Sequence, residues 1–278
     1  MMALYVSMIL TEAGGFTAGI EGPACDRKGV LYAVNYNRQG AIGAVSPEGK
    51  AEVFVDLPTG SVGNGIRFRQ DGRMLIADCT LHNILEVDMA SKAVRVFAHS
   101  DSLNQPNDIC ITDSGQVFAS DPNWSDNTGK MWRADLDGCL TLLEEGMGTT
   151  NGIEVSPDQR TLYVNESVQR RVWAYDLSPE GAVSRKRLFI EFPDFGLDGM
   201  RCDIDGNLYI TRYGKGVVVK MSPEGKVLLE VVLHGSRPSN LAFGGPDGKT
   251  IYVTEVDHQR IEQFRVETEG REWRLWQE

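Results

Sequence analysis

Six polar positions recur along this chain: Glu21, Asn64, Asn107, Asn151, Asp198 and Asn240. Each heads an apolar stretch, and each carries a side-chain oxygen. Two are carboxylates and four are amides. Brought together and buried, Glu21 and Asp198 would repel and lose hydration at a cost of several kcal/mol unless a cation paired with them. The donors are hard oxygens, with no histidine or cysteine at the same phase, which favours calcium or magnesium over zinc or copper. A shell of about six to eight ligands, completed by water and substrate, suits Ca2+ best, with Zn2+, Mn2+ or Mg2+ as alternatives.

An architectural reading competes with this one. Asn-Gly is among the strongest hairpin signals, and Asn or Asp before a strand caps turns through its side chain. In "TTNGIEVSPDQRTLYVNES" (149–167), however, the apolar runs flank Ser156-Pro157-Asp158. The hairpin therefore bends there, and Asn151-Gly152 is left at the head of the first strand. Capping also gives no reason for two carboxylates in an amide-rich set.

The elements that must position these residues follow from their spacing. The six anchors lie 43, 43, 44, 47 and 42 residues apart, a period that points to a solenoid or propeller. Each unit repeats one grammar: an apolar strand, a turn rich in Asp, Gly or Ser, a second strand such as "MLIAD" or "TLYVN", then a third and a fourth. Four short antiparallel strands per unit of about 40 residues make the blade of a propeller. The predicted fold is all-β, a six-bladed β-propeller forming one domain over 1–278. Its blades start near 21, 64, 107, 151, 198 and 240. Ring closure needs a terminal strand. Either "LYVSMIL" at the start or "REWRLW" at the end could supply it, and the first is favoured.

In a propeller the first strand of every blade is innermost, so its leading residue sits at one mouth of the central channel. The second strand returns to that mouth with Asn35, Asp78, Asp121, Asn165, Arg212 and Glu255, again all polar. The opposite turn face, with its D-G and S-P hairpins, shows no such convergence. Around the mouth, Asp121, Trp124, Asp126, Arg212 and Tyr213 are pocket or rim candidates, and His82 and His258 fall on loops there. His99 and His234 end outer strands. Trp132 and Trp173 sit in third strands, where packing between blades is their expected role.

Composition narrows the partners. A formal charge of −11 argues against nucleic acid or an anionic membrane, both of which attract basic patches. Five scattered cysteines without C-x-x-C spacing read as reduced thiols in a cytoplasmic protein. The apolar start lacks a basic n-region, so a secretory signal is not expected. No apolar run approaches a membrane span.

"GIEGP", "QPNDI", "TNGIEVSPD" and "LDGMRCDIDGNLYIT" occur in order in blades one, three, four and five, and the chain resembles along nearly its whole length the senescence-marker-protein/gluconolactonase/luciferin-regenerating-enzyme family. That family is related to the diisopropyl-fluorophosphatases and paraoxonases. The resemblance implies a divalent metal held by Glu21, Asn107, Asn151 and Asp198, and hydrolysis of a lactone or related neutral cyclic ester. It also implies Asp198 as general base or nucleophile. Asn64 and Asn240 are expected behind the ligands or in the pocket. Sugar-lactonase relatives often carry Arg two residues before the blade-three Asn; here it is Gln105, which lacks the bidentate fork. With Asp78 and Asp121 expected in the channel, a neutral substrate is favoured. The substrate-binding candidates are thus Gln105, Asp121, Trp124, Arg212, Asn64 and His258. A phosphotriester or fluorophosphate hydrolase, and a calcium-binding module without turnover, are the competing functions.

Overall fold

The computed structural model describes residues 3–275. It forms six four-stranded antiparallel sheets, arranged as a six-bladed propeller. Blade one holds β2 (Phe16–Cys25), β3 (Leu31–Tyr36), β4 (Ala41–Val45) and β5 (Ala51–Asp56), and blade two holds β6 (Gly63–Phe68), β7 (Met74–Asp78), β8 (Asn83–Val87) and β9 (Val94–His99). Blade three has β10 (Ile109–Ile111), β11 (Val117–Asn123), β12 (Thr128–Ala134) and β13 (Leu140–Met147). Blade four has β14 (Thr150–Val155), β15 (Thr161–Glu166), β16 (Arg171–Leu177) and β17 (Val183–Glu191). Blade five runs β18 (Met200–Cys202), β19 (Leu208–Arg212), β20 (Val217–Met221) and β21 (Val227–Val232).

Blade six takes β22 (Pro238–Gly244), β23 (Thr250–Glu255) and β24 (Arg260–Arg265) from the chain's end and β1 (Met8–Ile9) from its start. Met8 faces Gln263 and Ile9 faces Glu262. The amino-terminal segment therefore supplies the outermost strand, which covers an edge that would otherwise stay unpaired. The carboxy-terminal alternative is instead a short helix, α1 (Arg271–Leu275); Trp276, its last proposed strand residue, lies outside the described residues.

Inner strands are almost wholly buried and outer strands are largely exposed, as in β14 against β17. The core is divided by the blades, one apolar cluster to each seam. Tyr32, Val34 and Ile42 of blade one pack on Ile66, Met74 and Leu85 of blade two. Across the closing seam, Phe16 and Ile20 meet Tyr252 and Ile261. Inner strands of neighbouring blades touch around the ring, which encloses the channel. Among the described residues no helix is long and apolar enough to cross a membrane.

Candidate active site at the channel mouth

A cavity of about 530 Å³ opens where the inner strands begin, lined by Glu21, Asn64, Asn107, Asn151 and Asp198 among others. Local backbone irregularity aims these side chains inward. Pairing shifts register around Glu21, between Gly63 and Ile66, and between Thr150 and Ile153. Bulges of this kind redirect a side chain without ending the strand. Asn107 and Asp198 precede the paired part of their strands, yet their N–H groups still bond Ser120 and Thr211, at 2.9 and 3.1 Å.

The glycines that follow the anchors let the blades close on one another. A Cβ at Gly152 would strike the Asp198 carbonyl oxygen, Asn165 Nδ2 at 2.6 Å and Met200 Cγ at 2.8 Å. One at Gly65 would lie 2.6 Å from Asp108 Oδ1. Close approach between neighbouring blades, rather than a hairpin, thus accounts for the Asn-Gly at the head of β14.

Charge and hydrogen bonding single out this mouth. The Asp198 carboxyl lies against both the Glu21 carboxyl and the Asn151 side chain. Burial, then the charges of Glu21 and Asp108, hold Asp198 well above the usual carboxylate range. Burial, then Asp108, pushes Glu21 up to about 7, although the Gly22 N–H and the Asn240 amide favour its charged form. Those donors lie 2.7 and 2.9 Å from Glu21 Oε2. Asn240 also accepts the Leu241 N–H at 2.9 Å, so it stands behind Glu21 with its amide committed. By contrast, Oδ1 of Asn64, Asn107 and Asn151 is buried with no hydrogen-bond partner among the described residues. Buried acceptors are rarely left so, and three aimed into one cavity call for an electropositive guest.

The channel below carries an ionic cluster that the sequence reading missed. Asp108 accepts from Arg201 Nη1 at 3.1 Å and lies 3.3 Å from Arg67 Nη1. Arg67 Nε lies 2.5 Å from Glu272 Oε1, and Arg201 Nε 4.0 Å from Glu272 Oε2. Arg271 reaches Glu154 at 3.3 Å and donates to the Ile111 carbonyl at 2.8 Å. Helix α1 thereby stops the far end of the channel, contrary to the expectation that nothing converges there. The available signal was a lone charge inside each of three apolar inner strands: Arg67 in "GIRF", Glu154 in "GIEV" and Arg201 in "GMRC". In this buried column Arg67, Arg201 and Arg271 balance Asp108, Glu154 and Glu272. The two carboxyls at the mouth are left over.

Of the second polar ring Asn35 lines the cavity, while the other members fix loops instead. Asp121 is fully buried and accepts from the Asn104 and Gln105 N–H groups at 2.8 and 2.7 Å and from Trp132 Nε1 at 2.9 Å. Asp78 likewise takes Ser61 Oγ at 2.8 Å and the Val62 N–H at 3.2 Å. Arg212 is buried, 2.8 Å from Asp194, with its guanidinium 3.8 Å over the Phe192 ring. Asn165 Nδ2 donates to the Asp198 carbonyl at 2.5 Å and helps to place that residue. Of the substrate candidates, Asn64 and Trp124 line the cavity and Gln105, Asp121, Arg212 and His258 do not. Gln105 is exposed, and exposed His258 is held by Glu255 at 2.7 Å. The expected aspartates in the channel are replaced by a lining without Lys, Arg or His among the described residues, through Ile20, Gln39, Val62, Ser167, Tyr213 and Val256. A larger groove of about 700 Å³ lies between blades three and four at the turn face, and none of the orphaned buried atoms described belongs to it.

Fold and mouth together define a six-bladed propeller whose channel ends in a carboxylate-and-amide oxygen site. The chain belongs to the family described as SMP-30/Gluconolactonase/LRE-like region, whose profile matches residues 20–257. It is 32% identical over 199 residues to the pentonolactonase of Haloferax volcanii, spanning 70% of this chain and 67% of that protein. It is 30% identical over 255 residues to the gluconolactonase of Zymomonas mobilis, spanning 81% and 69%. The solved structure of a calcium-binding protein, regucalcin, from Agrobacterium tumefaciens shares the fold, with a TM-score of 0.81 at 22% identity over 95% of this chain and 97% of that one.

Proposed function

We propose that the protein is a divalent-metal-dependent lactonase acting on a neutral cyclic ester, with Ca2+ as the best-fitting ion. The observation that carries this reading is the mouth itself: two carboxyls pressed together beside three partnerless amide oxygens. Glu21, Asn107, Asn151 and Asp198 would hold the ion, an all-oxygen set that matches a hard cation. When bound, such an ion supplies a Lewis acid that polarises the ester carbonyl. It also offsets the two surplus negative charges that the column below leaves unpaired.

The chain's own residues do the rest. Asn240 and the Gly22 N–H orient the Glu21 carboxylate. Thr211 and Asn165 clamp the Asp198 backbone from its N–H and its carbonyl sides. As general base Asp198 would take the proton of a water whose oxygen bonds the carbonyl carbon, and pass it to the ring oxygen as the ester C–O bond breaks. As nucleophile it would bond the carbonyl carbon itself, the ring oxygen leaving as the alcohol, and water would then cleave the acyl-Asp198 anhydride to free the carboxylate. Burial and the Glu21 charge raise its proton affinity in the metal-free protein; a bound cation would lower it again and leave Asp198 ionised, the state in which it can accept a proton. The kinship with a pentonolactonase and a gluconolactonase supports lactone opening over phosphotriester hydrolysis. Turnover of γ- and δ-lactones and of paraoxon, with and without chelator, tests the reading. Chelator-sensitive lactone opening that exceeds paraoxon hydrolysis supports it; metal binding with no hydrolysis of either would assign a binding module instead.

A further inference from the structure

The rim of the mouth is divided into two unlike halves. Three residues beyond each second-ring position, at equivalent places on the six loops, stand Arg38, Leu81, Trp124, Val168, Lys215 and His258. The polar members are each committed to a neighbour on their own blade. Arg38 pairs with Asp56 at 2.5 Å, Lys215 with Glu230 at 2.6 Å and His258 with Glu255 at 2.7 Å. The apolar members fall on three consecutive blades, and all are exposed: Leu81 by 39%, Trp124 by 43% and Val168 by 45%. Phe195, on the loop that enters blade five, extends the arc at 48% exposure. Its backbone is left-handed, with φ 45°, a conformation costing a bulky residue about 1–2 kcal/mol. That cost is borne by a residue whose ring is left half in solvent.

This arc is continuous with the cavity. Trp124 lines both, and Cys79 and Ser167, which line the cavity wall, lie on the same loops as Leu81 and Val168. We infer that Leu81, Trp124, Val168 and Phe195 form a specificity surface for an apolar alkyl or aryl substituent on the lactone ring. The ring itself sits among the amides, hydroxyls and carboxyls below. The inference rests on the lactonase reading and narrows it to uncharged lactones with a greasy tail. A highly hydroxylated substrate would leave the arc wet, and an anionic tail would find no free cation among the lining residues described.

The test is a homologous series of γ-lactones, from the unsubstituted ring to an eight-carbon alkyl tail, with a tail of equal length ending in carboxylate as comparator. Burying methylenes against this surface raises kcat/KM about two- to fourfold per carbon over the first few carbons. In a Leu81→Ser/Val168→Ser double variant, made at exposed positions so that folding is spared, the ratio of long- to short-tail kcat/KM falls at least tenfold. The carboxylate-tailed lactone gains nothing from its chain. Turnover of the unsubstituted ring with a flat profile overturns this inference alone. A gain that survives in the double variant does so too. If no member of the series is opened, the lactonase reading falls and takes this inference with it. A flat profile, together with a wild-type dimer in sedimentation that the double variant abolishes, would reassign the arc to self-association.

Discussion

The two carboxyls at the mouth should make the metal-free protein less stable than it would be without them. Glu21 is held at about 7, against 4.5 for an ordinary glutamate, chiefly by burial and then by Asp108. A folded state that raises an acid's pKa binds more protons than the unfolded chain between those two values, so its stability falls as pH rises through them. The penalty is absent below about pH 4.5 and complete above about 7. There the gap corresponds to roughly 3 kcal/mol. Glu21→Gln removes that charge and keeps an amide oxygen to accept from Gly22 and Asn240. In chelator at pH 8 the variant should therefore be roughly 3 kcal/mol more stable than the parent, a rise in Tm of roughly 5–10 °C, and at pH 4 the two should coincide. Saturating calcium should reverse the order. An ion at a thousand times its Kd adds about 4.1 kcal/mol, more than the roughly 3 kcal/mol deficit, to a protein that binds it and little to one that does not. Urea unfolding at pH 4 and pH 8, with chelator and with calcium, reads all of this. A Gln variant that is less stable than the parent in chelator at pH 8, or a difference that ignores pH, refutes the reasoning.

Two further perturbations probe the scaffold. Gly152→Ala forces a methyl group against the Asp198 carbonyl and Met200, and should cost about 1–3 kcal/mol in urea and weaken calcium binding at least tenfold by calorimetry; unchanged affinity would show that the close approach does not set the Asp198 position. Glu272→Gln leaves Arg67 and Arg201 facing Asp108 alone in the buried channel, and should lower stability by about 3–5 kcal/mol. A loss below about 1 kcal/mol would mean that α1 is not anchored through this carboxylate.

The fold was legible because a propeller writes its period into the chain. Turns such as Pro223-Glu224-Gly225 and recurrent apolar strands need only local chemistry to be read. The mouth was legible for the same reason: repeat phase places Glu21, Asn64, Asn107, Asn151 and Asp198 at equivalent points of successive blades, and five of the six anchors line the cavity. The second ring shows where phase stops being informative. Asp121 and Arg212 return to the right end of the molecule, but a side chain at the end of a second strand can face the channel or the loop beside it. Two backbone N–H groups claim the first and Asp194 the second. Repeat logic was blind to α1, since the helix lies outside the repeat. Its partners Arg67, Glu154 and Arg201 were visible only as charges inside apolar strands, whose pairing depends on contacts far apart in sequence.

The central claim is that Asp198, in a metal-loaded mouth, carries the ring-opening chemistry. Its most direct test is lactone turnover by Asp198→Ala protein under saturating calcium, with circular dichroism to verify the propeller. The account predicts an intact fold and a loss of kcat/KM of at least about a thousandfold, the scale at which losing a central catalytic group is felt. Full activity in the folded, metal-replete variant would contradict it.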